Sequence, residues 1–272
     1  GFIKKIAIAD VLALHIVDPA FANPSEYSPA FLLIGLYAYS YQVYMDFSGY
    51  TDIARGAARC MGYELQINFN RPYMATSIGN FWQRWHISMS SFFRDYLYFG
   101  LGGSKYGNVY VNLFITFVAI GIWHGAGWNF VAYGISHAGM VCWERWRRER
   151  RKAKGLPDIS YTGARLALQI FVIFNLVTFT RVLFRGGSME SAGLYLQAML
   201  TGQGNAFPVG LLGIGVLLFA ILLHYTPKSW SYRWKEVYCK LPAVVQAGVI
   251  VGVIYMSLVL SSGAAPFVYF QF

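Results

Sequence analysis

The chain has 272 residues, of which 56% are hydrophobic, 18% aromatic and only 12% charged. Soluble domains carry about 25% charged residues, so an ordinary soluble fold is excluded, and the aromatic excess suits membrane interfaces. The net charge of +10 is spread between apolar runs and concentrated in one connector, a pattern that fits contact with membrane lipids on the cytoplasmic side and excludes nucleic acid as a partner.

In chain order, Gly1-Phe2-Ile3-Lys4-Lys5 reads as the middle of a longer chain, with no initiator methionine and no signal peptide. Residues 6–17 predict a helical stretch interrupted by Asp10, and the connector after it carries Asp18 and Glu26. Residues 29–44 are just long enough to return across a bilayer. The charged stretch 46–108 reads as an amphipathic segment, lying on the cytoplasmic side or re-entrant. Two apolar segments follow, 109–122 and 129–143, separated by Trp123-His124-Gly125-Ala126-Gly127-Trp128. The 38 residues 106–143 contain no Asp, Glu, Lys or Arg, enough to enter or cross a hydrocarbon core about 30 Å thick.

Residues 144–160 predict a basic cytoplasmic loop. From Glu144 to Lys154 it carries Arg145, Arg147, Arg148, Arg150, Arg151, Lys152 and Lys154 against Glu144 and Glu149, and the positive-inside rule places such a loop in the cytoplasm. Residues 164–184 would then cross outward, with Arg165 and Arg181 snorkelling from the two ends. Residues 209–224 would cross inward to Lys228, Arg233, Lys235 and Lys240, and 241–261 outward, leaving the uncharged tail 262–272 outside. The fold class expected is all-α and polytopic, one integral-membrane region over 1–272.

The chemistry centres on histidine. Titratable groups inside membranes are costly and mark cavities or reaction paths. If residue 109 starts its segment at the cytoplasmic surface, His124 lies ~22 Å deep at about 1.5 Å per residue. On a helical wheel over 80–96, Phe81, Trp82, Trp85, Met89, Phe92, Phe93 and Tyr96 share about 120° of arc, and His86 sits at the boundary of that stripe. A lone histidine of this kind is usually a packed one. Two of them, each beside a tryptophan and bracketing one apolar segment, are a stronger signal. His137 either lines the same cavity or packs; His15 and His224, at the ends of apolar runs, are expected at the interface. Gly100, Gly102 and Gly103 read as a turn, since no GKS/T follows. Ser48 lacks a GxSxG frame. Cys60, Cys142 and Cys239 are scattered, and no metal spacing occurs.

At these residues the chain resembles the membrane-bound O-acyltransferase family, in particular the bacterial branch that modifies alginate, cellulose, peptidoglycan and teichoic acid. The strings that carry the resemblance are Tyr44-Met45-Asp46-Phe47-Ser48-Gly49-Tyr50-Thr51-Asp52, Asn68-Phe69-Asn70-Arg71-Pro72-Tyr73, Phe81-Trp82-Gln83-Arg84-Trp85-His86-Ile87-Ser88, Arg94-Asp95-Tyr96-Leu97-Tyr98, Trp123-His124-Gly125 and the closing Pro266-Phe267-Val268-Tyr269-Phe270-Gln271-Phe272. The resemblance implies helices arranged around an intramembrane tunnel in a bacterial plasma-membrane protein. It matches His124 to the family's catalytic histidine and His86 to the second histidine of the tunnel. It also implies that this chain is the C-terminal part of a protein nearly twice as long.

The expected reaction moves a short acyl group, acetyl foremost, from a cytoplasmic thioester to hydroxyls of an extracytoplasmic polymer. His124 would take the hydroxyl proton or carry the acyl group itself, and His86 would orient the donor or polarise its carbonyl. Trp85, Trp123 and Asn70 are candidate substrate-binding residues. Arg84 and Arg94 would attract the phosphates of acetyl coenzyme A or of an acyl carrier, or else anchor lipid phosphate. No bound cofactor or metal is expected, and a periplasmic or cell-surface acyltransferase is the expected protein partner. Two other readings remain open from sequence: a polytopic transporter, and a non-catalytic scaffold of a polymer-secretion complex.

Overall fold

The computed structural model describes residues 1–202 and 204–260. Within them every regular element is helical, apart from an isolated bridge between Tyr27 and Ala206. Wide π-type turns over Ile3–Asp10 and Ala13–Val17 lead into α1 (Asp18–Ala22). Then come α2 (Pro29–Cys60), the short α3 (Ile78–Trp82) and α4 (Ile87–Phe92), α5 (Val109–His124) and α6 (Trp128–Ala153). The chain continues through α7 (Gly163–Arg185), α8 (Met189–Thr201), α9 (Leu211–Tyr225), α10 (Lys228–Lys240) and α11 (Ala243–Leu260).

The chain divides into two compact units. One is Gly1–Leu65 joined by the chain from Asn205 onward; the other is Gln66–Gly204. In the first, α2 is the central element. Ser28 caps it by accepting from the Phe31 N–H at 3.3 Å, Pro29 opens its first turn, and both choices favour helix initiation. Its middle, from Ala38 to Gly49, is buried. A charge in that middle needs a partner, and Asp46 finds one in Lys5, whose Nζ lies 2.8 Å from Asp46 and 2.8 Å from Asp10. The helix expected over 29–44 therefore runs on through Asp46 to Cys60, because the buried carboxylate is neutralised rather than solvated. Asp10 likewise does not break the helical path it lies on.

In the second unit α5 and α6 form a hairpin joined by Gly125–Gly127. They approach closely because two glycines face each other. A β-carbon on Gly134 would fall 2.6 Å from the Phe117 carbonyl oxygen, and one on Gly121 would collide with that of Phe130. α7 packs on α6, fastened by Asn129 Nδ2 donating to the Leu183 carbonyl at 3.1 Å. α8 packs on α7, and α3 on α6.

Three expectations change here. The basic stretch after residue 144 is no loop at its start: α6 continues to Ala153, with Arg150, Arg151 and Lys152 in its last turn against the negative end of the helix dipole. The single amphipathic helix expected over 80–96 is broken into α3 and α4, with a turn between them. Arg181 is only 4% exposed and does not snorkel. Among the described residues α7 alone is both long and apolar enough to cross a membrane, with mean hydropathy 1.9; Val109–His124, Leu211–Tyr225 and Ala243–Met256 are apolar but shorter. The closing string 266–272 and the tail 262–272 lie outside the described residues.

Candidate active site

The turn between α3 and α4 sets the position of His86. The irregular segment before it captures the turn's backbone: the Asn70 N–H donates to the Arg84 carbonyl at 2.9 Å and the Ile87 N–H to the Asn68 carbonyl at 3.0 Å. Asn68 Oδ1 then caps α4 by accepting from the Ser88 N–H at 3.0 Å. With those groups taken, the chain must reverse at His86, which adopts φ 44° and ψ 57°. That left-handed conformation costs a residue with a side chain about 1–2 kcal/mol. Ser88 Oγ gives its hydrogen to Asn68 Oδ1 at 3.0 Å. In its 3.4 Å contact with His86 Nδ1 the hydroxyl is therefore the acceptor, so Nδ1 carries the proton and Nε2 the lone pair.

His124 ends α5 at the hairpin turn. Both histidines lean on the ring of Trp123, with centroids 5.9 Å away for His86 and 4.9 Å for His124. His124 also meets Phe184 edge-on at 5.0 Å and Tyr133 at 6.2 Å. Each of the two histidines keeps 8% of its surface exposed, while Trp123 is 52% exposed. The pair is thus largely shielded from solvent, with an open aromatic face beside it.

Behind them lies His137, fully buried. Trp82 Nε1 donates to its Nδ1 at 3.3 Å, and its Nε2 lies 3.0 Å from Thr180 Oγ1. Indole only donates, so the neutral ring carries its proton on Nε2 and gives it to Thr180, whose hydroxyl donates to the Val177 carbonyl at 2.7 Å. The tautomer is fixed from both sides. Tyr133 stands between this ring, at 4.5 Å, and His124.

A buried cation completes the cluster. The Arg181 guanidinium lies 4.4 Å over the Trp85 ring and 5.8 Å over Tyr73. Trp85 itself stacks on Phe81 at 5.6 Å. Among the described residues no carboxylate pairs with Arg181, and its Nε has no hydrogen-bond partner.

Of the residues singled out in the sequence, the structure gathers His86, His124, Trp123 and Trp85 into one unit. Asn70 and Arg84 stand at the supporting turn: Arg84 donates to Asn80 Oδ1 at 2.9 Å and to the Asn70 carbonyl at 3.2 Å. Arg94 is exposed and forms a bidentate pair with Asp95 at 2.7 and 3.1 Å, which holds the Asp95 carboxyl below its usual range. His15 is exposed. His224, expected at the interface, is instead buried in the other unit, edge-on to Tyr41 at 6.2 Å and Tyr44 at 5.1 Å. Gly100, Gly102 and Gly103 do form a turn, pinned by Asn112 Nδ2 donating to the Gly103 carbonyl at 2.9 Å. Among the described residues no cluster of three or more His, Cys, Asp or Glu could hold a metal ion. Sequence reasoning missed Arg181, Tyr133 and Thr180. A charge near the end of an apolar run is the one signal the sequence offers for Arg181, and the same signal fits a snorkelling residue.

Two histidines paired on one indole, in a unit that also buries an arginine against Trp85, are an arrangement that can serve acyl transfer. The family model for the membrane-bound O-acyltransferase family matches residues 8–184. The chain belongs to that family, whose proteins are membrane-bound enzymes. Among curated relatives it is similar to the "Probable alginate O-acetylase AlgI" of Pseudomonas syringae pv. tomato, 42% identical over 207 residues, covering 74% of this chain and 37% of that protein. It is similar also to the peptidoglycan O-acetyltransferase of Helicobacter pylori, 37% identical over 202 residues with 74% and 37% covered. The teichoic acid D-alanyltransferase of Streptococcus thermophilus is 31% identical over 205 residues, with 68% and 49% covered. The chain thus spans well under two thirds of the length of these relatives.

Proposed function

We propose that this protein transfers a short acyl group, acetyl foremost, from a thioester donor on the cytoplasmic side of the plasma membrane to hydroxyls of an extracytoplasmic polymer, and that it crosses that membrane several times. The observation that carries the reading is the meeting of His86 and His124 on the single ring of Trp123, in a site mostly closed to water. The names of the relatives support it, since each acts on a cell-surface polymer or exopolysaccharide.

A polymer hydroxyl is a poor nucleophile near neutral pH, and neutral imidazole is the side chain suited to relieve it of its proton. In the proposed step His124 takes that proton as the hydroxyl oxygen bonds to the thioester carbonyl carbon. The tetrahedral intermediate collapses by breaking the carbon–sulfur bond, and the leaving thiolate recovers the proton from His124. His86 orients the donor by accepting a hydrogen bond at Nε2. Arg181, fixed on Trp85, supplies positive charge against the oxyanion that develops, an effect that is large where water is excluded. Trp123, half exposed beside both histidines, offers a flat face for a sugar ring or the donor's arm.

Replacing His124 by alanine in the full-length protein, in cells making the acceptor polymer, is expected to abolish polymer acylation while membrane insertion and yield stay unchanged. Normal acylation in that variant overturns the reading.

A further inference from the structure

Beside α3 lies an open pocket of about 610 Å³ whose walls include Arg145, Arg147, Arg148 and Arg151 against the carboxylates of Glu144 and Asp158. Cavities of this size hold small-molecule ligands. On a helix, Glu144 is the natural partner of Arg147 and Arg148, three and four positions on. Here it is occupied elsewhere. Its two oxygens accept from the Ile78 N–H at 2.5 Å and the Gly79 N–H at 3.1 Å, tying down the start of α3. Burial raises the Glu144 carboxyl above its usual range, and those N–H groups and the two arginines pull it partly back.

The other two arginines are partly committed. Arg145 pairs with Glu149 at 2.7 Å and Arg151 donates to the Pro157 carbonyl at 3.0 Å. Arg147 and Arg148 make no hydrogen bond or ion pair among the described residues, and both are exposed on the wall of the pocket. Two uncommitted guanidiniums beside a concave polar surface are the usual reception for phosphate, which the planar fork binds through paired hydrogen bonds.

We propose that this pocket binds the phosphate groups of a phosphorylated ligand, with Arg147 and Arg148 as its principal contacts. Resting on the acyl-transfer reading, this assigns to the pocket the phosphate-bearing part of the donor, a role that Arg94, paired with Asp95, and Arg84, tied to Asn80 and Asn70, are less free to take. A phosphate can also arrive on an anionic lipid, and the chemistry of the pocket is the same for both. α3 would then separate the two ends of the site: Gly79 and Asn80 face the pocket while Trp82 holds His137.

The test titrates free coenzyme A into full-length protein in phosphatidylcholine nanodiscs, comparing the wild type with the Arg147→Gln/Arg148→Gln double variant, and repeats the comparison as the thermal shift produced by adding phosphatidylglycerol to the bilayer. The double variant is expected to bind coenzyme A about tenfold more weakly or worse, and Asp158→Asn, which removes a negative wall charge, to bind it more tightly. Unchanged coenzyme A affinity together with loss of the phosphatidylglycerol shift supports the pocket with a lipid headgroup as its source. If neither response differs between wild type and the double variant, the proposal is overturned. Because the readout is binding without turnover, its failure is separable from failure of the acyl-transfer reading, which rests on acylation in the His124→Ala protein.

Discussion

Three buried polar residues of the second unit carry different burdens, and mutation separates them. His137 is held by Trp82 on one nitrogen and Thr180 on the other. Removing the ring leaves the Trp82 indole N–H without a partner and opens a cavity, each a recognised source of large losses. The His137→Ala variant is therefore expected to lose about 3–5 kcal/mol of stability, read as a fall in the thermal midpoint in detergent that His124→Ala does not show. Equal midpoints for the two would remove the structural role. Arg181 is the opposite case. A buried charge without a carboxylate partner costs the fold its desolvation, so Arg181→Met, which keeps much of the volume over Trp85, should leave the midpoint unchanged or raised. Acylation should nevertheless fall about tenfold or more, since a donor to a developing oxyanion is worth that much. Full activity in Arg181→Met would show that its charge is not used.

At the scale of the helix the decisive contact is the α5–α6 crossing. His124 on α5 meets Tyr133 on α6 only because Gly121 and Gly134 let the two backbones close together. A larger side chain at Gly134 would have to displace the Phe117 carbonyl. Gly134→Leu is expected to cost about 1–3 kcal/mol by overpacking and to lose most activity, because the hairpin would splay and carry His124 away from its partners. Wild-type acylation in this variant would show that the crossing does not position the histidine. The α3–α4 turn shows the same logic in reverse. Periodicity over 80–96 favours one continuous helix, yet Asn68 and Asn70, more than ten residues upstream, supply the hydrogen bonds that break it at His86.

For the molecule as a whole, the charge pattern makes a claim about sidedness. α10, with Arg233, Lys235 and Lys240, should face the cytoplasm. Cys239 lies exposed on α10 and is a natural reporter. In full-length protein carrying it as the only cysteine, a membrane-impermeant maleimide should label inside-out vesicles and spare right-side-out ones; the reverse pattern would invert the topology. Composition, the charge-free run and the positive stretch determined by themselves that the described residues are helical and that the chain is built for a membrane, and local motifs singled out His86 and His124. These are properties of single residues and their near neighbours, which hydropathy, spacing and local motifs record. Only the tertiary structure decided that α2 runs on past Asp46, that His86 sits in a left-handed turn, that His137 is locked in place, and that Arg181 turns inward onto Trp85. Each of those depends on a partner far along the chain: Lys5 for Asp46, Asn68 for the turn, Trp82 and Thr180 for His137, Trp85 for Arg181. A buried charge or ring is settled by what meets it in space, and local sequence carries no record of that meeting.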